Sequence, residues 1–563
     1  MGSPFILGSP HEGGDQILYP HKTSLFIATV AIMLIAAMTA FGCAGPVGDE
    51  PAPEEEEETR RGGTIVIGYS EEPPTLDAHG TTAAATVSVL DRIGDPVLER
   101  DPETGDFIAH IAEEWDISED GKTLTLWLRD DVTFHSGTEL NAQTLKESWE
   151  RILEPGHEVA LGRMGPLGDL VVEDDYVLRI EMEESFAPLM NWVSWRSWAQ
   201  PVDPDLVREY GDDYGRNPGS IGPYRFDEWL TGQEISLVRN EDYDWAPEFY
   251  DNRGPAYPDA LRLRYIMEDA TRVAALETGE IHITSLPSTE VERFIDDPDF
   301  EIFSYPRGGV SMHVLFNHER EPMDDLRVRQ ALSYAIDKSA IIDVAADGRA
   351  EEAHGPLPPT MWGYWDGVED ISYDHDLERA GALLDDAGWT LDEGESVRTR
   401  DGEPLEITLY LTSFDHWVLT AEMLQAQWRE LGVEVIIENY EWGTVLEYLA
   451  DGRHHTALMG YSTSNDPDWL YRVFHSSQAG GAGINRHHIR NDELDNLVER
   501  QRYTMDPDER LQYAGEAQRF AVEQAVQAPI YILTEYVAVN RKVEDFAIDY
   551  RGNWLLHDMW LNE

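Results

Sequence analysis

The stretch from Leu419 to Ser462 alternates between helical and extended patterns. Its first helix is predicted to have one apolar face, formed by Leu419, Met423, Leu424, Trp428 and Leu431. Gly432 ends that helix, VEVII follows as a strand, and a second helix is predicted from Trp442 to Gly452. HTALMGYS is then a short strand that leads into the loop STSNDPD. Alternation of this kind indicates an α/β fold with ligand-binding loops at the ends of strands.

Similar patterns run along the chain from residue 62 onward. Thr64–Tyr69, Lys122–Leu128 and Tyr176–Glu181 have the composition or the alternation of strands, whereas Val328–Ile336 has helical spacing. At more than 500 residues this region is long enough for several domains or lobes. It contains no GxxxxGK[ST] phosphate-binding loop and no internal repeat.

Cysteine content and charge limit both the fold and its partners. Cys43 is the only cysteine in 563 residues, so no disulfide can form within the chain and the fold depends on its apolar core. The formal net charge is −67, which excludes nucleic acid as a partner for the body of the protein. A hydrophobic content of 42% with 17 tryptophans predicts a packed protein, and the acidity suggests adaptation to high salt.

The N-terminal region has the pattern of an export signal. An uncharged apolar run from Leu25 to Gly42 ends in small residues immediately before Cys43. Ala40-Phe41-Gly42-Cys43 resembles a bacterial lipoprotein signal, which implies cleavage before Cys43 and lipid attachment to its thiol. The alternative is an uncleaved membrane anchor that carries an incidental cysteine. We therefore predict a signal peptide over residues 1–43 and an acidic Pro/Glu-rich tether over residues 44–61, with the body outside the cytoplasm.

Six segments, in order, resemble the solute-binding proteins of ATP-driven peptide importers. The longest is EEWDISEDGKTLTLWLRDDVTFHSGTELNAQTL, from Glu113 to Leu145. The others are IGPYRFDEWLTGQEISLVRNEDYDW, RVAALETGEIHI, LRVRQALSYAIDKSAII, HDLERAGALLDDAGW and QAPIYIL. The similarity covers nearly all of the chain from Gly62 to Leu561 and is greatest to the dipeptide- and oligopeptide-binding members, called family 5.

This resemblance implies a two-lobed periplasmic-binding-protein-like fold of the type II class, with an extra domain, that closes on its ligand about a hinge. Carried onto this chain, it places the hinge crossings near Ser304 and Leu533. The implied boundaries are residues 62–85, 217–304 and 534–563 for lobe I, residues 86–216 for the extra domain, and residues 305–533 for lobe II.

The resemblance also implies a ligand pocket with aromatic walls. Trp442 in YEWGTV and Tyr461 in MGYSTSN match two aromatic positions of the family. In many peptide-binding members an aspartate three residues after the second aromatic holds the α-ammonium group of the peptide. Ser464 occupies that position here, and a serine hydroxyl cannot neutralise an ammonium charge.

The loop after Tyr461 contains further candidates. Asp466 could replace the missing carboxylate if the loop is reshaped, so Ser464, Asn465 and Asp466 are all predicted ligand-binding residues. The alternative for Asp466-Pro467-Asp468 is a turn and helix cap before Trp469, because aspartate is favoured in both roles.

Other aromatic clusters are weaker candidates for ligand contact. Phe414 and Trp417, with His416 between them, lie at a predicted strand-to-helix junction. Trp195 lies with Trp192 and Trp198 in NWVSWRSWAQ, where exposed rings could stack on a sugar or a side chain, although core packing is the alternative. Arg196 could receive a carboxylate, or it could form a surface ion pair.

The sequence contains few features that indicate catalysis or metal binding. The pairs His454-His455 and His487-His488 are sequence neighbours and are poor chelators by themselves, although relatives that capture nickel complexes keep a metal conceivable. No Gly-x-Ser-x-Gly elbow is present, and no cysteine is placed as a nucleophile. We predict no enzyme activity and no cofactor.

The sequence thus predicts an extracytoplasmic, membrane-anchored solute-binding lipoprotein that delivers peptides to the permease subunits of an ATP-driven importer. We expect it to act as a monomer. An oligosaccharide or another neutral solute is the alternative ligand, suggested by Ser464 and the many tryptophans. A receptor that presents its ligand to a sensor or chemoreceptor is the alternative class of function.

Overall fold

The structure is a computed structural model that describes residues 60–81, 83–154, 157–461, 466–481 and 483–562. The predicted signal peptide with Cys43 and nearly all of the predicted tether lie outside these residues. Within them, no helix combines the length and the apolarity that crossing a bilayer requires.

Strands occur throughout the described part of the chain, and all except one are short. They are β1 (Thr64–Tyr69), β2 (Glu99–Arg100), β3 (Phe107–Ile108), β4 (Ala112–Ile117), β5 (Thr123–Leu128), β6 (Leu167–Asp174), β7 (Val177–Met182), β8 (Tyr224–Leu230), β9 (Glu234–Arg239), β10 (Ala260–Tyr265), β11 (Ile283–Leu286), β12 (Phe300–Pro306), β13 (Met312–Phe316), β14 (Ala350–Glu352), β15 (Thr399–Arg400), β16 (Glu403–Pro404), β17 (Glu406–Leu411), β18 (Glu434–Asn439), β19 (Thr456–Met459), β20 (Gln527–Asn540), β21 (Val543–Glu544), β22 (Ala547–Ile548), β23 (Trp554–Leu555) and β24 (Trp560–Leu561).

The α-helices alternate with these strands along much of the chain. They are α1 (Ala84–Ile93), α2 (Ala142–Glu150), α3 (Glu158–Met164), α4 (Pro188–Val193), α5 (Pro204–Tyr210), α6 (Asp269–Glu277), α7 (Leu326–Tyr334), α8 (Lys338–Ala345), α9 (Val368–Ile371), α10 (Leu377–Asp386), α11 (Asp415–Glu430), α12 (Trp442–Ala450), α13 (Asp468–Phe474), α14 (Asp492–Tyr503) and α15 (Pro507–Glu523).

The main sheet is mixed and has two halves that meet at β20. Its strand order is β18-β17-β19-β13-β20-β11-β1-β10-β9-β8, with β12 and β14 also paired to β20. The N-terminal part of β20, Gln527–Leu533, pairs antiparallel with β13 and β14. Its C-terminal part, Thr534–Asn540, pairs antiparallel with β11 and β12. One continuous strand therefore belongs to both halves of the sheet.

A separate four-stranded antiparallel sheet, β4-β5-β7-β6, packs against its own apolar core. Phe134, Trp149 and Trp192 are almost completely buried in that core. Asn141 begins α2 with a capping box: its side chain accepts hydrogen bonds from the backbone N–H groups of Gln143 and Thr144. This layer lies within the predicted extra domain, whose boundaries remain predictions.

The predicted α/β alternation between residues 419 and 462 is present, with one error in the assignment of a helix face. The buried residues of α11 are Trp417, Thr420, Ala421, Leu424 and Trp428. Leu419, which was expected on that face, is 38% exposed. Leu424, Trp428 and Leu431 of the predicted face are buried, and the small residues Thr420 and Ala421 take part in the core contact where Leu419 was expected.

Candidate ligand-binding site

Three neighbouring parallel strands present aromatic residues at one edge of the main sheet. β17 pairs in parallel with both β18 and β19, so the carboxyl ends of all three strands face the same way. Phe414 follows β17, Trp442 follows β18 and Tyr461 follows β19, each after two or three residues. In open α/β sheets ligands bind outside the carboxyl ends of strands, so this edge is the candidate site.

Phe414, Trp417 and Trp442 form an aromatic wall at this edge. The ring centroids of Trp417 and Trp442 are 6.0 Å apart, and those of Phe414 and Trp417 are 5.8 Å apart, both pairs edge to face. Phe414 is 53% exposed and Trp442 is 39% exposed, whereas Trp417 is only 5% exposed. Trp417 therefore supports the wall from the core, while the two outer rings present apolar surface that the fold leaves uncovered.

Local capping fixes the position of Trp442. Glu441 begins α12, and its side chain accepts a hydrogen bond of 3.3 Å from the backbone N–H of Thr444. A carboxylate at this position satisfies a free N–H and interacts favourably with the helix dipole. The acidic residue before the tryptophan therefore has a structural role in orienting the ring.

Tyr461 lies two positions after the end of β19. Its backbone N–H donates to the carbonyl oxygen of Val310 at 3.0 Å, and its ring packs against Trp469 and His313 at 4.9 and 4.7 Å. Burial raises the pKa of its hydroxyl group. That hydroxyl is buried and has no hydrogen-bond partner among the described residues, which leaves it available to a polar group that enters the loop region.

Of the next three predicted residues, the structure describes only Asp466. Ser464 and Asn465 lie outside the described residues. Asp466 is 2% exposed and binds Arg510 through both carboxylate oxygens, with an Nη1–Oδ2 distance of 2.9 Å. Its Oδ1 also accepts a hydrogen bond of 2.8 Å from the backbone N–H of Asp468. These contacts give Asp466 a structural partner and form the turn before α13.

Trp195 lies in a second region, a small cavity between α3 and α4 on one side and α13 on the other. The cavity has a volume of about 30 Å³ and is lined among others by Arg163, Trp192, Trp195, Asp466, Asp468 and Arg472. Near it, Ser185 Oγ donates to the carbonyl oxygen of Tyr503 at 2.7 Å, and Ala187 N–H donates to that of Arg502 at 3.0 Å. The cavity therefore lies in a cleft that is closed by direct contacts.

The three tryptophans of NWVSWRSWAQ differ in exposure. Trp192 is 1% exposed and Trp198 is 9% exposed, as core packing requires, while Trp195 is half-buried and lines the cavity. Trp195 and Trp198 stack edge to face at 4.5 Å. Trp195 also lines an adjoining cavity of about 100 Å³, together with Asp91, Arg100, Asn191 and Arg551.

Arg196 does not form the expected surface pair. Its guanidinium binds Asp95 and Glu99, whose side chains are 0% and 5% exposed, so the pairs are buried. These carboxylates raise the pKa of Arg196, against the opposing effect of burial. The partners Asp95 and Glu99 lie about a hundred residues earlier, too far along the chain for local sequence to reveal them.

The paired histidines make structural contacts. His454 Nε2 lies 3.0 Å from the carbonyl oxygen of Arg486, and His488 Nε2 lies 2.8 Å from that of Leu449. His455 Nδ1 accepts from the backbone N–H of Thr408 at 3.0 Å. Within the described ranges, no group of three or more histidine, cysteine or acidic side chains has the arrangement of a metal site.

Sequence patterns did not indicate Arg163 and Arg472. Neither belongs to a recognisable motif, and nothing beside them in the sequence separates them from the other arginines. In the cleft, Arg163 lies over the ring of Trp195 from a distant segment, and Arg472 lies over the ring of Trp469 on its own helix, α13.

Known proteins resemble this chain over most of its length. The model for bacterial extracellular solute-binding proteins, family 5, middle region, matches residues 106–482. The dipeptide-binding protein of Escherichia coli strain K12 is 30% identical over 522 residues, which is 85% of this chain and 90% of that protein. Heme-binding protein A of Haemophilus influenzae is 27% identical over 513 residues, with 85% and 88% covered.

Solved structures show the same fold. The periplasmic binding protein DppA of Helicobacter pylori, in complex with the peptide STSA, superposes with a TM-score of 0.72 at 24% identity and covers 90% of this chain and 100% of its own. NikA of Brucella suis, in complex with Fe(III)-EDTA, gives a TM-score of 0.78 at 21% identity, with 89% and 100% covered. These likenesses and the mixed sheet confirm the predicted α/β fold class.

Proposed function

Because the chain belongs to family 5 of the bacterial extracellular solute-binding proteins, we propose that it captures short peptides and delivers them to the permease of an ATP-driven importer. Proteins of this family bind transport substrates and catalyse no reaction, which confirms the prediction that the chain is not an enzyme. Its place of action is outside the cytoplasm.

The observation that carries the proposal is the aromatic wall at the ends of β17 and β18. Phe414 and Trp442 present two rings at an edge where solutes bind in this type of sheet. Flat apolar surfaces of this kind hold peptide side chains without selecting one type, because stacking and dispersion do not depend on a particular functional group. A peptide importer needs this tolerance.

The proposed mechanism is closure of two lobes about β20. Lobe I is assigned to residues 62–85, 217–304 and 534–563, lobe II to residues 305–533, and the extra domain to residues 86–216. A ligand that contacts both lobes stabilises the closed state in proportion to its greater affinity for that state. The permease would recognise the closed, loaded form.

A neutral solute such as an oligosaccharide is the second candidate, and one residue favours it. Ser464 stands where many peptide-binding members of the family have the aspartate that neutralises the peptide ammonium. Losing a buried ammonium–carboxylate contact typically costs about 2–5 kcal/mol of binding free energy. A peptide site without this carboxylate must therefore obtain its affinity elsewhere.

Attachment to the membrane is proposed to occur through a lipid on Cys43. The apolar run before it would be removed and acyl chains would hold the protein, with each buried methylene contributing about 0.8 kcal/mol. Mass spectrometry of the native protein is expected to find a modified Cys43 at the new N-terminus. An intact N-terminus with an unmodified thiol would contradict this part of the proposal.

Native mass spectrometry of the full-length protein, purified in high salt without denaturation, tests the ligand class. We expect co-purified species that fragment into amino acids. Calorimetric titration with a tripeptide and its N-acetylated form then tests the ammonium contact. A single co-purified species that fragments into hexoses, together with no binding of either peptide, would replace the peptide proposal by the neutral-solute proposal.

A further inference from the structure

Arg163 has an unusual environment for an arginine in a protein with 109 acidic residues. It lies in α3 and stacks over the rings of Trp198 and Trp195, with its Cζ 4.0 and 4.7 Å from their centroids. Its Nε and Nη1 atoms are buried, and among the described residues they have no hydrogen-bond partner. The guanidinium is therefore packed against two aromatic rings while two of its nitrogen donors are unused.

The carboxylates that line the cavity with Arg163 lie beside other arginines. Asp466 binds Arg510 through both oxygens, and Asp468 Oδ1 lies 3.0 Å from Arg502 Nε. Within the described part of the chain, no carboxylate forms an ion pair with Arg163 or with Arg472. Around the small cleft cavity, four guanidinium groups, those of Arg163, Arg472, Arg502 and Arg510, therefore face two carboxylates, which gives it a local positive charge.

The charge of Arg472 also acts on Arg163. Burial and the charge of Arg472 together lower the pKa of Arg163 to about 10. Burial likewise lowers the pKa of Arg472. The charge of Asp468 partly offsets that of Arg472, but no described carboxylate forms an ion pair with Arg163, and an anion between the two guanidinium groups would relieve their repulsion.

The size of the cavity limits that anion. A volume of about 30 Å³ holds roughly two water molecules, which matches the two oxygens of a carboxylate. Guanidinium donors arranged as a fork suit a planar carboxylate, and the flanking Trp195 ring can cover its apolar stem. Because α3 and α13 come from opposite sides of the cleft, a group bound here contacts both sides.

We propose that Arg163, together with Arg472, forms a carboxylate-binding subsite that receives an acidic group of the transported solute. This inference rests on the proposed function for the identity of the solute, and it names the part of the cleft that supplies charge recognition. The acidic group is either the C-terminal carboxylate or an acidic side chain of the peptide. A site with this chemistry compensates for Ser464, because affinity is then obtained from the negative group of the peptide instead of its ammonium.

The test uses the full-length protein and two pairs of peptides in calorimetric titrations. Ala-Ala-Ala and its C-terminal amide probe the terminal carboxylate, while Ala-Glu-Ala and Ala-Gln-Ala probe an acidic side chain. The variants are Arg163→Gln and Arg472→Gln. Arg519→Gln is the matched control, because Arg519 is exposed on α15 and does not line the cavity.

We expect wild type and R519Q to prefer the acidic member of at least one pair by about tenfold or more, and R163Q to lose that preference. Which pair shows the preference identifies the source of the carboxylate. Arg163→Lys should restore only part of it, because lysine keeps the charge but not the fork. If R163Q lost affinity equally for the acidic and the neutral peptides, Arg163 would have a purely structural role and the proposal would fail. Equal affinities of wild type for both members of each pair would also overturn it.

A second measurement needs no peptide, so it separates this inference from the proposed function. The melting temperature is compared in sodium acetate and in sodium chloride at equal concentration. Acetate is expected to stabilise wild type and R519Q more than R163Q. If the acetate effect is the same in all three proteins, the subsite is refuted whether or not peptides bind; if peptides fail to bind but acetate discriminates, only the peptide proposal fails.

Discussion

At the scale of single residues, the aromatic wall divides into binding and supporting positions. Phe414 and Trp442 are half-exposed and contribute little to the core, whereas Trp417 behind them is 5% exposed. We expect F414A and W442A to weaken ligand binding with little change in melting temperature. W417A should destabilise the fold by about 3–5 kcal/mol, because it leaves a cavity in the core. Calorimetric titration and thermal unfolding of the three variants measure these effects.

Comparison of the three variants shows which rings bind the ligand and which support the fold. Loss of binding in W442A that is accompanied by a large loss of stability would show that the ring is structural. Unchanged binding in both F414A and W442A would place the ligand away from this edge of the sheet.

Asp91 provides a prediction about pH. It lies in α1 beside the cavity of about 100 Å³, and its Oδ1 is buried without a partner among the described residues. Burial raises the pKa of this carboxyl group to about 6, against the opposing charges of Arg92 and Arg196. The folded state therefore holds a proton that the unfolded state releases near pH 4. The contribution of protonated Asp91 to the free energy of unfolding is therefore fully present below about pH 4 and is lost as the pH rises through about 6.

Replacing Asp91 with asparagine removes this titration. A shift from 3.8 to about 6 corresponds to roughly 3 kcal/mol at neutral pH, so D91N is expected to be more stable than wild type above pH 7. The difference between the two proteins should shrink toward pH 4. Thermal unfolding across this range measures it, and a difference that is independent of pH would contradict the assigned pKa.

At the scale of elements, local patterns were sufficient for the helices and strands but not for the polar contacts. The helix ending before Gly432 and the strand HTALMGYS depend on residues a few positions apart, so periodicity and glycine stops could reveal α11 and β19. The buried pairs of Arg196 and the unpaired Arg163 depend on contacts between distant segments. The aromatic positions Trp442 and Tyr461 were predictable only through the family resemblance.

Gly460 lies where the backbone after β19 passes close to the backbone before β13. A Cβ atom at this position would lie 2.2 Å from the carbonyl oxygen of Ser311, so only glycine allows the two backbones to approach. We expect G460A to push the loop that carries Tyr461 away from Val310, lowering both melting temperature and ligand affinity. Gly402→Ala is a comparison at an open position, although its positive φ adds strain of its own. Normal affinity in G460A would show that the loop tolerates the shift.

At the scale of the whole molecule, the net charge of −67 makes stability depend on salt. Exposed like charges repel, and salt screens them over a Debye length that falls from about 10 Å at 0.1 M to about 3 Å at 1 M. We expect the melting temperature to rise with sodium chloride over this range. Potassium chloride at the same concentrations should act similarly if screening is the cause. A melting temperature that does not depend on salt would contradict adaptation to high salt.

The position of β20 in the sheet also constrains the order in which the protein can be completed. Both halves of the main sheet need Gln527–Asn540, and these residues follow every other strand of that sheet along the chain. Neither half can therefore be completed before residues 527–540 have been synthesised, and a chain shortened before residue 527 would lose the centre of both. For a protein that acts outside the cytoplasm, this delay keeps the chain open and threadable until translocation is well under way.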